Sequence, residues 1–177
     1  MKRAIRIAAL AVTAVAFSGE ARSEEKSGGQ TAPDRPAWGI AVKSEIMTRS
    51  HELAWKNGPP ALPAGARVAV LEGDPKTPNA LFTIRLELPA GYLIPAHFHA
   101  ADEHITVISG QFDMGVGDRL DFGKLEPCPA GSFMVMPAGT RHFALSREQT
   151  VIQVHAVGPW VLTYVNPADD PRLQARK

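Results

Sequence analysis

The sequence predicts an all-β protein, a barrel or a sandwich, and two observations support this prediction. From residue 66 onward the chain consists of about eight short apolar runs that are divided by glycine and other turn residues. In one of them, LFTIRLEL at residues 81–88, apolar and polar side chains alternate with a period of two, which is typical of a strand with one buried face. No convincing long helix interrupts the series, and strands of this kind close a barrel or pack as two sheets.

The N-terminal residues 1–23 are expected to form an export signal. A basic stretch, MKRAIR, precedes the apolar run IAALAVTAVAF and several small residues, which is the pattern of a signal peptide. Cleavage after Ala16 and cleavage after Ser23 both fit this pattern. An uncleaved anchor is the alternative, but the apolar run is shorter than the roughly 20 residues that a membrane-spanning helix needs. We therefore expect a periplasmic or secreted protein without membrane attachment once the signal is removed.

The composition fits one folded domain and gives no indication of a strongly charged binding partner. The chain has 177 residues, of which 45% are hydrophobic, and a formal charge of +1, enough for a sizeable core. Loss of residues 1–23 would move the charge to about −2, so nothing favours a nucleic-acid partner. Cys128 is the only cysteine, which excludes an intramolecular disulfide, and we expect it to be a small buried hydrophobe.

The mature chain is predicted to have four parts. Residues 24–37 are polar and rich in Gly and Pro, as in a flexible linker. Residues 38–65 form an N-terminal extension with a short helix over residues 50–56, and residues 66–166 form the barrel. In the tail, residues 167–177, Asp170 is expected to cap one helical turn that begins at Pro171.

The stretch HFHAADEH, residues 97–104, has the spacing of a metal site on strands. Side chains at positions i and i+2 of a strand share a face, so His97 and His99 can converge on one ion. The next strand, HITVISG, can place Glu103 on its inward face, whereas His104 should point away. A surface loop with solvated histidines is the alternative for such a short motif.

A second stretch, residues 131–146, strengthens the metal hypothesis. GSFMVMPAGTRHFALS contains a glycine, an apolar strand, a Pro-x-Gly turn and then one histidine, His142. A fourth ligand-type side chain is therefore available from a distant part of the chain.

Together the two stretches resemble the motifs of the cupins. The first has Gly, five residues, His-x-His, three residues, Glu, six residues and Gly; the second has Gly, five residues, Pro-x-Gly, two residues and His. The asparagine that often follows is Ser146 here. The matching positions are Gly91, His97, His99, Glu103, Gly110, Gly131, Pro137, Gly139 and His142.

The resemblance implies a double-stranded β-helix, the cupin jelly-roll barrel, with one divalent ion held by His97, His99, Glu103 and His142. Three imidazoles and one carboxylate favour Fe, Mn, Ni or Cu, and a six-coordinate ion would keep two open positions. Zinc is the alternative if its coordination expands. The resemblance also implies a homodimer. The extension at residues 38–63 is a candidate to pack across the neighbouring subunit.

Two further residues are candidates for the pocket. In VIQVHAV, Gln153 and His155 alternate with apolar residues, so one face of this strand is partly polar. If this face lines the cavity, His155 is suited to transfer protons and Gln153 lines the pocket. If this face is exposed to solvent, both residues have only a structural role. The sequence alone does not determine which face of the strand is buried.

The intact ligand set favours an enzyme that acts on a small organic molecule. A dioxygenase or related oxidoreductase, in which the ion binds substrate and O₂, is the leading hypothesis. The alternatives are a non-redox lyase or isomerase with the ion as Lewis acid, and a non-catalytic module that binds a metal or metabolite. The fold itself does not choose among them.

Overall fold

The computed structural model describes residues 45–174, and the predicted signal peptide, the linker and the start of the extension lie outside this range. Within residues 45–174, no helix is long and apolar enough to span a membrane. The strands are β1 (Lys56–Asn57), β2 (Arg67–Glu72), β3 (Leu81–Leu88), β4 (Leu93–Phe98), β5 (Glu103–Ser109), β6 (Phe112–Val116), β7 (Phe133–Met136), β8 (His142–Ser146), β9 (Thr150–Val157) and β10 (Thr163–Tyr164).

The strands form two antiparallel sheets, which confirms the predicted all-β class. One sheet has six strands in the order β1-β2-β3-β9-β5-β7, and the other has four in the order β10-β4-β8-β6. Strands that are distant in the sequence are therefore neighbours, and consecutive strands often belong to different sheets. This arrangement pairs His97 of the first sequence motif with His142 of the second.

The core lies between the sheets and follows the period-two pattern of the sequence. Strand β3 alternates between half-buried and fully buried side chains along its whole length. It pairs with β9 without interruption from Leu81 opposite Val157 to Leu88 opposite Thr150. Each large apolar side chain buried in this way contributes about 1.5–3 kcal/mol relative to exposure. Cys128 is partly buried and packs against this core.

Strand β4 changes its inward face near Pro95. Its pairing with β8 shifts register between Ile94 and His97, and Ala96 and His97 are both buried although they are adjacent. A proline has no N–H for the ladder and is usual at such irregularities. The shift turns His97 and His99 inward and leaves Phe98 half-buried.

Ser146, the departure from the second motif, has a structural role. Its side chain is fully buried, and its hydroxyl donates to the carbonyl oxygen of Pro89 at 2.6 Å. The same hydroxyl accepts from the N–H of Tyr92 at 3.2 Å. Serine therefore ties the end of β8 to the turn that precedes β4.

The N-terminal extension closes one side of the barrel, but the helix predicted over residues 50–56 is wrong. Only Ser50–Glu52 forms a 3-10 turn, and Lys56–Asn57 pairs with β2, because this pairing provides backbone partners that an isolated short helix lacks. Further along, Leu62 is buried against the core. The hydroxyls of Tyr92 and Tyr164 donate to backbone carbonyls on either side of Leu62.

The C-terminal prediction is confirmed. Helix α1 (Pro171–Gln174) follows Asp170, whose carboxylate accepts the N–H of Arg172 at 2.9 Å. The Arg172 guanidinium also donates to the carbonyl oxygen of Leu162 at 3.0 Å. The tail is thereby fixed to the segment before β10.

Two isoleucines test the assignment of inner and outer faces. Ile84 on β3 is 0% exposed and Ile108 on β5 is 41% exposed. We expect Ile84→Ala to lower the free energy of unfolding by about 2–5 kcal/mol, because it leaves a cavity in the core. Ile108→Ala should lower it by less than about 1 kcal/mol. Urea unfolding of both variants measures the difference, and equal losses would contradict the assignment.

Candidate metal centre

Both sheets contribute to one cluster of ligand-type side chains. His97 lies near the end of β4 and His142 at the start of β8, where the two are paired across the strands. His99 follows β4 directly, and Glu103 begins β5 in the other sheet. The structure thus brings together all four residues that the sequence predicted as metal ligands.

The cluster is compact and buried. The ligand atoms of His97, His99 and His142 lie within 4.8 Å of one another. Glu103 Oε2 lies 3.4 Å from His99 Nε2 and 3.6 Å from His142 Nε2. None of the four residues is more than 4% exposed. The three histidines could therefore hold a metal ion, and the carboxylate lies within reach of the same point.

The second nitrogen of each imidazole is bound to the backbone, and this determines the tautomer. A carbonyl oxygen only accepts, so each Nδ1 must carry the proton and each Nε2 keeps its lone pair. Backbone carbonyls that orient the ring in this way are usual partners of metal-binding histidines. The pairs are His97 with Pro95 at 2.7 Å, His99 with Val161 at 3.1 Å and His142 with Thr140 at 2.9 Å.

One buried nitrogen supports the fit to a metal ion. His99 Nε2 is inaccessible to solvent and has no hydrogen-bond partner among the described residues. A buried polar atom without a partner destabilises a protein by about 1–3 kcal/mol, and such atoms are uncommon. A metal ion accepts the lone pair of this nitrogen, so the residues present fit such a group.

Burial sets the protonation states of the cluster. Burial, together with the neighbouring His142 and His99, lowers the pKa of His97 to about 3. Burial also lowers the pKa of His99. Burial would raise the pKa of Glu103, but the neighbouring imidazoles of His142, His99 and His97 lower it below its ordinary value. The imidazoles of His97 and His99 are therefore neutral and the carboxylate is ionised near pH 7, the forms that bind metals.

The two motifs are joined by loop contacts beside the cluster. Asp102 Oδ1 accepts the N–H of Ala138 at 2.8 Å, and the N–H of Gly139 donates to the carbonyl oxygen of His99 at 2.8 Å. Asp102 is thus an anchor for the Pro-x-Gly turn. His104 lies on the opposite face of β5, with its ring 5.9 Å from that of Phe133, as the strand pattern predicted.

Trp160 belongs to the site, although sequence reasoning did not identify it. Its indole N–H donates to Glu103 Oε1 at 3.1 Å. The indole is stacked on the His99 ring, with centroids 5.6 Å apart and planes 6° apart. Because 57 residues separate Trp160 from Glu103, no local sequence pattern could have shown the contact.

The cluster forms one wall of a small, mainly apolar cavity of about 20 Å³. Among the described residues that line it, none is Lys or Arg. Apart from the four ligand-type residues, the lining consists of Leu62, Leu86, Ile94, Ile105, Phe112, Met114, Ala144, Ile152, Trp160 and Leu162.

Gln153 and His155 do not reach this cavity. His155 is exposed, and its Nδ1 lies 2.9 Å from Thr83 Oγ1 on the outer face of the six-stranded sheet. On the same face, Gln153 Oε1 accepts from Arg85 at 3.2 Å. The interpretation that placed both residues in the pocket is therefore wrong. Alternate side chains of β9 point to opposite faces. Ile152 and Val154 occupy the inner face, so Gln153 and His155 lie on the outer face.

Comparison with known proteins identifies the family. The model of the ChrR cupin-like domain family matches residues 43–161, more than half of the chain. The chain therefore belongs to the cupins, in the family of ChrR cupin-like domains. The comparison with curated protein sequences gave no match.

Two solved structures share the fold. The polyketide cyclase RemF from Streptomyces resistomycificus is 20% identical, with a TM-score of 0.56 and coverage of 75% of this chain and 94% of that one. A proposed acetylacetone dioxygenase from Methylibium petroleiphilum PM1 is 22% identical, with a TM-score of 0.55 and coverage of 72% and 85%. At these identities the likeness shows the jelly-roll fold alone, and the predicted cupin barrel is confirmed.

Matched histidine variants test the metal site. We expect His97→Ala and His142→Ala to lose bound metal, because each removes one of the clustered nitrogens. His104→Ala and His155→Ala, on the outer face, should retain about one equivalent of metal per chain. Elemental analysis of the four purified proteins measures this. Equal metal contents in all four would contradict the site.

The lowered pKa of His97 predicts a pH dependence of stability. Between pH 6.5 and about 3 the unfolded chain binds a proton at this residue and the folded chain does not. The free energy of unfolding of the metal-free protein should therefore fall with decreasing pH, by about 1 kcal/mol per pH unit. Glu103 acts in the same direction at lower pH, since its folded pKa is also lowered.

Urea unfolding between pH 7 and pH 4 measures this slope. His97→Phe lacks the titrating group and should show a smaller slope, whereas His155→Ala should keep the slope of the parent. Identical slopes in the parent and His97→Phe would contradict the assignment.

Proposed function

We propose that this protein is a metal-dependent enzyme acting on a small organic molecule, of the dioxygenase or related oxidoreductase type. The observation that carries the proposal is the buried cluster of three imidazoles and one carboxylate at the wall of an apolar cavity. His97, His99, Glu103 and His142 are the proposed ligands. With no bound ion, the buried His99 Nε2 has no hydrogen-bond partner among the described residues.

The donor set favours Fe, Mn, Ni or Cu, with zinc as the alternative. Three imidazole nitrogens and one carboxylate oxygen suit these ions, and soft thiolate ligands are not part of the cluster. Such an ion, when bound, would supply open coordination positions for a substrate and for O₂ or water, and would act as a Lewis acid.

The cavity lining restricts the substrate. The cavity holds only about 20 Å³, which is room for about one water molecule, so an organic substrate would bind only if lining side chains moved. Because no lining residue among those described is Lys or Arg, a substrate with several negative charges would lack partners there. A small and mainly apolar molecule with one oxygen-bearing or ionisable end fits the apolar side chains and the polar cluster.

Glu103 and the histidines have distinct roles in this proposal. The Nδ1 bonds to the backbone keep the three rings from rotating, so the Nε2 atoms remain directed at one point. The ionised Glu103 lowers the net charge of an occupied site. Leu62 and the other apolar lining residues exclude water, which strengthens electrostatic interactions in the cavity.

Export and homodimer formation remain predictions of the sequence. They are supported by the signal-like pattern of residues 1–23 and by the resemblance to cupins, respectively. An exported chain would acquire its metal outside the cytoplasm, and the assay below therefore uses metal added to the purified mature protein.

An oxygen-uptake screen tests the proposed reaction. The protein loaded separately with Fe, Mn, Ni, Cu or Zn is supplied with small enols, diketones, phenols and thiols, beside a His97→Ala/His142→Ala control. We expect substrate-dependent O₂ uptake with a redox metal and none in the control. Conversion that persists without oxygen would replace the proposal by Lewis-acid chemistry of a lyase or isomerase. A tightly bound compound recovered unchanged would replace it by a binding function.

A further inference from the structure

We infer that Trp160 is a positioning residue for Glu103 in the metal centre. Its indole N–H holds one oxygen of the carboxylate, so that the other oxygen faces the imidazole nitrogens. The inference rests on the proposed metal site and is independent of the reaction that the site performs. It goes beyond the four ligands, because Trp160 lies outside both sequence motifs.

The two oxygens of Glu103 have different partners. Oε1 accepts the N–H of Trp160 at 3.1 Å. Oε2 lies 3.4 Å from His99 Nε2 and 3.6 Å from His142 Nε2. Glu103 is only 4% exposed, so water cannot easily replace the indole as a partner of Oε1. The indole bond therefore selects the rotation of the carboxylate and favours one ligand oxygen over two.

The backbone around Trp160 is fixed by the loop that precedes β3. The N–H of Trp160 donates to the carbonyl oxygen of Pro75 at 2.7 Å. Two residues earlier, Gly158 exchanges backbone bonds with Ala80 at 2.8 Å and Asn79 at 2.9 Å. A Cβ added at Gly158 would lie 2.3 Å from the carbonyl oxygen of Thr77. This close approach needs glycine, and it places the indole in register with the cluster.

Ring contacts fix the orientation of the indole itself. The nearly parallel stack on His99 holds one face of Trp160. The Phe82 ring, with its centroid 6.2 Å away and its plane tilted by 53°, lies on the core side. One residue thus touches two of the proposed ligands, His99 through its ring face and Glu103 through its N–H.

Trp160 also separates the metal cavity from a surface groove. The same indole lines both, and the groove is bordered by Pro59, Pro60, Val68 and Val70. A small replacement would open the cavity to this groove and change several properties at once. Phenylalanine is the better replacement, since it retains an aromatic ring and removes only the N–H donor and part of the stack.

A double-mutant cycle on Co²⁺ affinity tests the inference. The dissociation constant for Co²⁺ is measured by equilibrium dialysis for the parent, Trp160→Phe, Glu103→Ala and the double variant. We expect Trp160→Phe to weaken binding about 10-fold or more in the parent, as is usual for loss of a partner of a metal ligand. In the Glu103→Ala background the same change should weaken binding less than about 2-fold, because the residue acts through Glu103.

The visible absorption of bound Co²⁺ gives a second readout. A carboxylate that is free to rotate would alter the ligand geometry, so Trp160→Phe should change the spectrum and Trp55→Phe should not. Trp55 is a matched control, since its ring packs on the Arg67 guanidinium and lies outside the cavity lining. Far-UV circular dichroism confirms folding of each variant.

An isosteric analogue covers the case in which Trp160→Phe does not fold. In a chain with Trp38→Phe and Trp55→Phe, tryptophan is replaced by benzothienylalanine, which has sulfur in place of the indole N–H. We expect the same weakening of Co²⁺ binding as above.

Three outcomes would overturn the inference. If the parent binds Co²⁺ and Trp160→Phe or the analogue binds it equally well, the positioning role alone is wrong. If Trp160→Phe weakens binding equally with and without Glu103, the effect does not pass through the carboxylate. If the parent itself does not bind Co²⁺, the metal centre is wrong and the inference fails with it.

Discussion

Burial of three imidazoles and a carboxylate at one point between the sheets is the constraint on which the rest of the structure depends. Each buried polar atom needs a partner, because leaving it unpaired destabilises the fold by about 1–3 kcal/mol. The backbone carbonyls of Pro95, Thr140 and Val161 satisfy the Nδ1 atoms. The Nε2 atoms are consequently directed toward each other and toward Glu103. Binding of a metal ion at this point would therefore be coupled to folding through the same groups.

Contacts between distant segments of the chain hold the cluster in this arrangement. Asp102 fixes the Pro-x-Gly turn, and this turn in turn holds the backbone of His99. On the other side, the segment around Leu62 closes the cavity and is held by the hydroxyls of Tyr92 and Tyr164. Loops from distant parts of the chain thus support the walls of the site, as a site with fixed ligand geometry requires.

The chemistry follows from the site and not from the barrel, since cupin-like barrels serve many reactions. A small apolar cavity with a single polar wall favours a small substrate that would contact a bound ion with one end. Trp160 adds a constraint on the carboxylate and separates the cavity from solvent on the groove side. The geometry of the site therefore depends on residues outside the two motifs as well as on the four ligand-type residues.

The sequence by itself determined the strand pattern, the two motifs, the four ligand-type residues and the cap at Asp170, because each depends on local spacing. Local information could not assign the face of β9, and the pocket role of His155 failed for this reason. Local sequence information also predicted a helix over residues 50–56, but Lys56–Asn57 pairs with β2 as a strand. Only the tertiary structure decided that Trp160 contacts Glu103, since that contact joins positions 57 residues apart. The position of the Trp160 indole depends on backbone hydrogen bonds between two loops, and no periodic pattern in the sequence predicts these bonds.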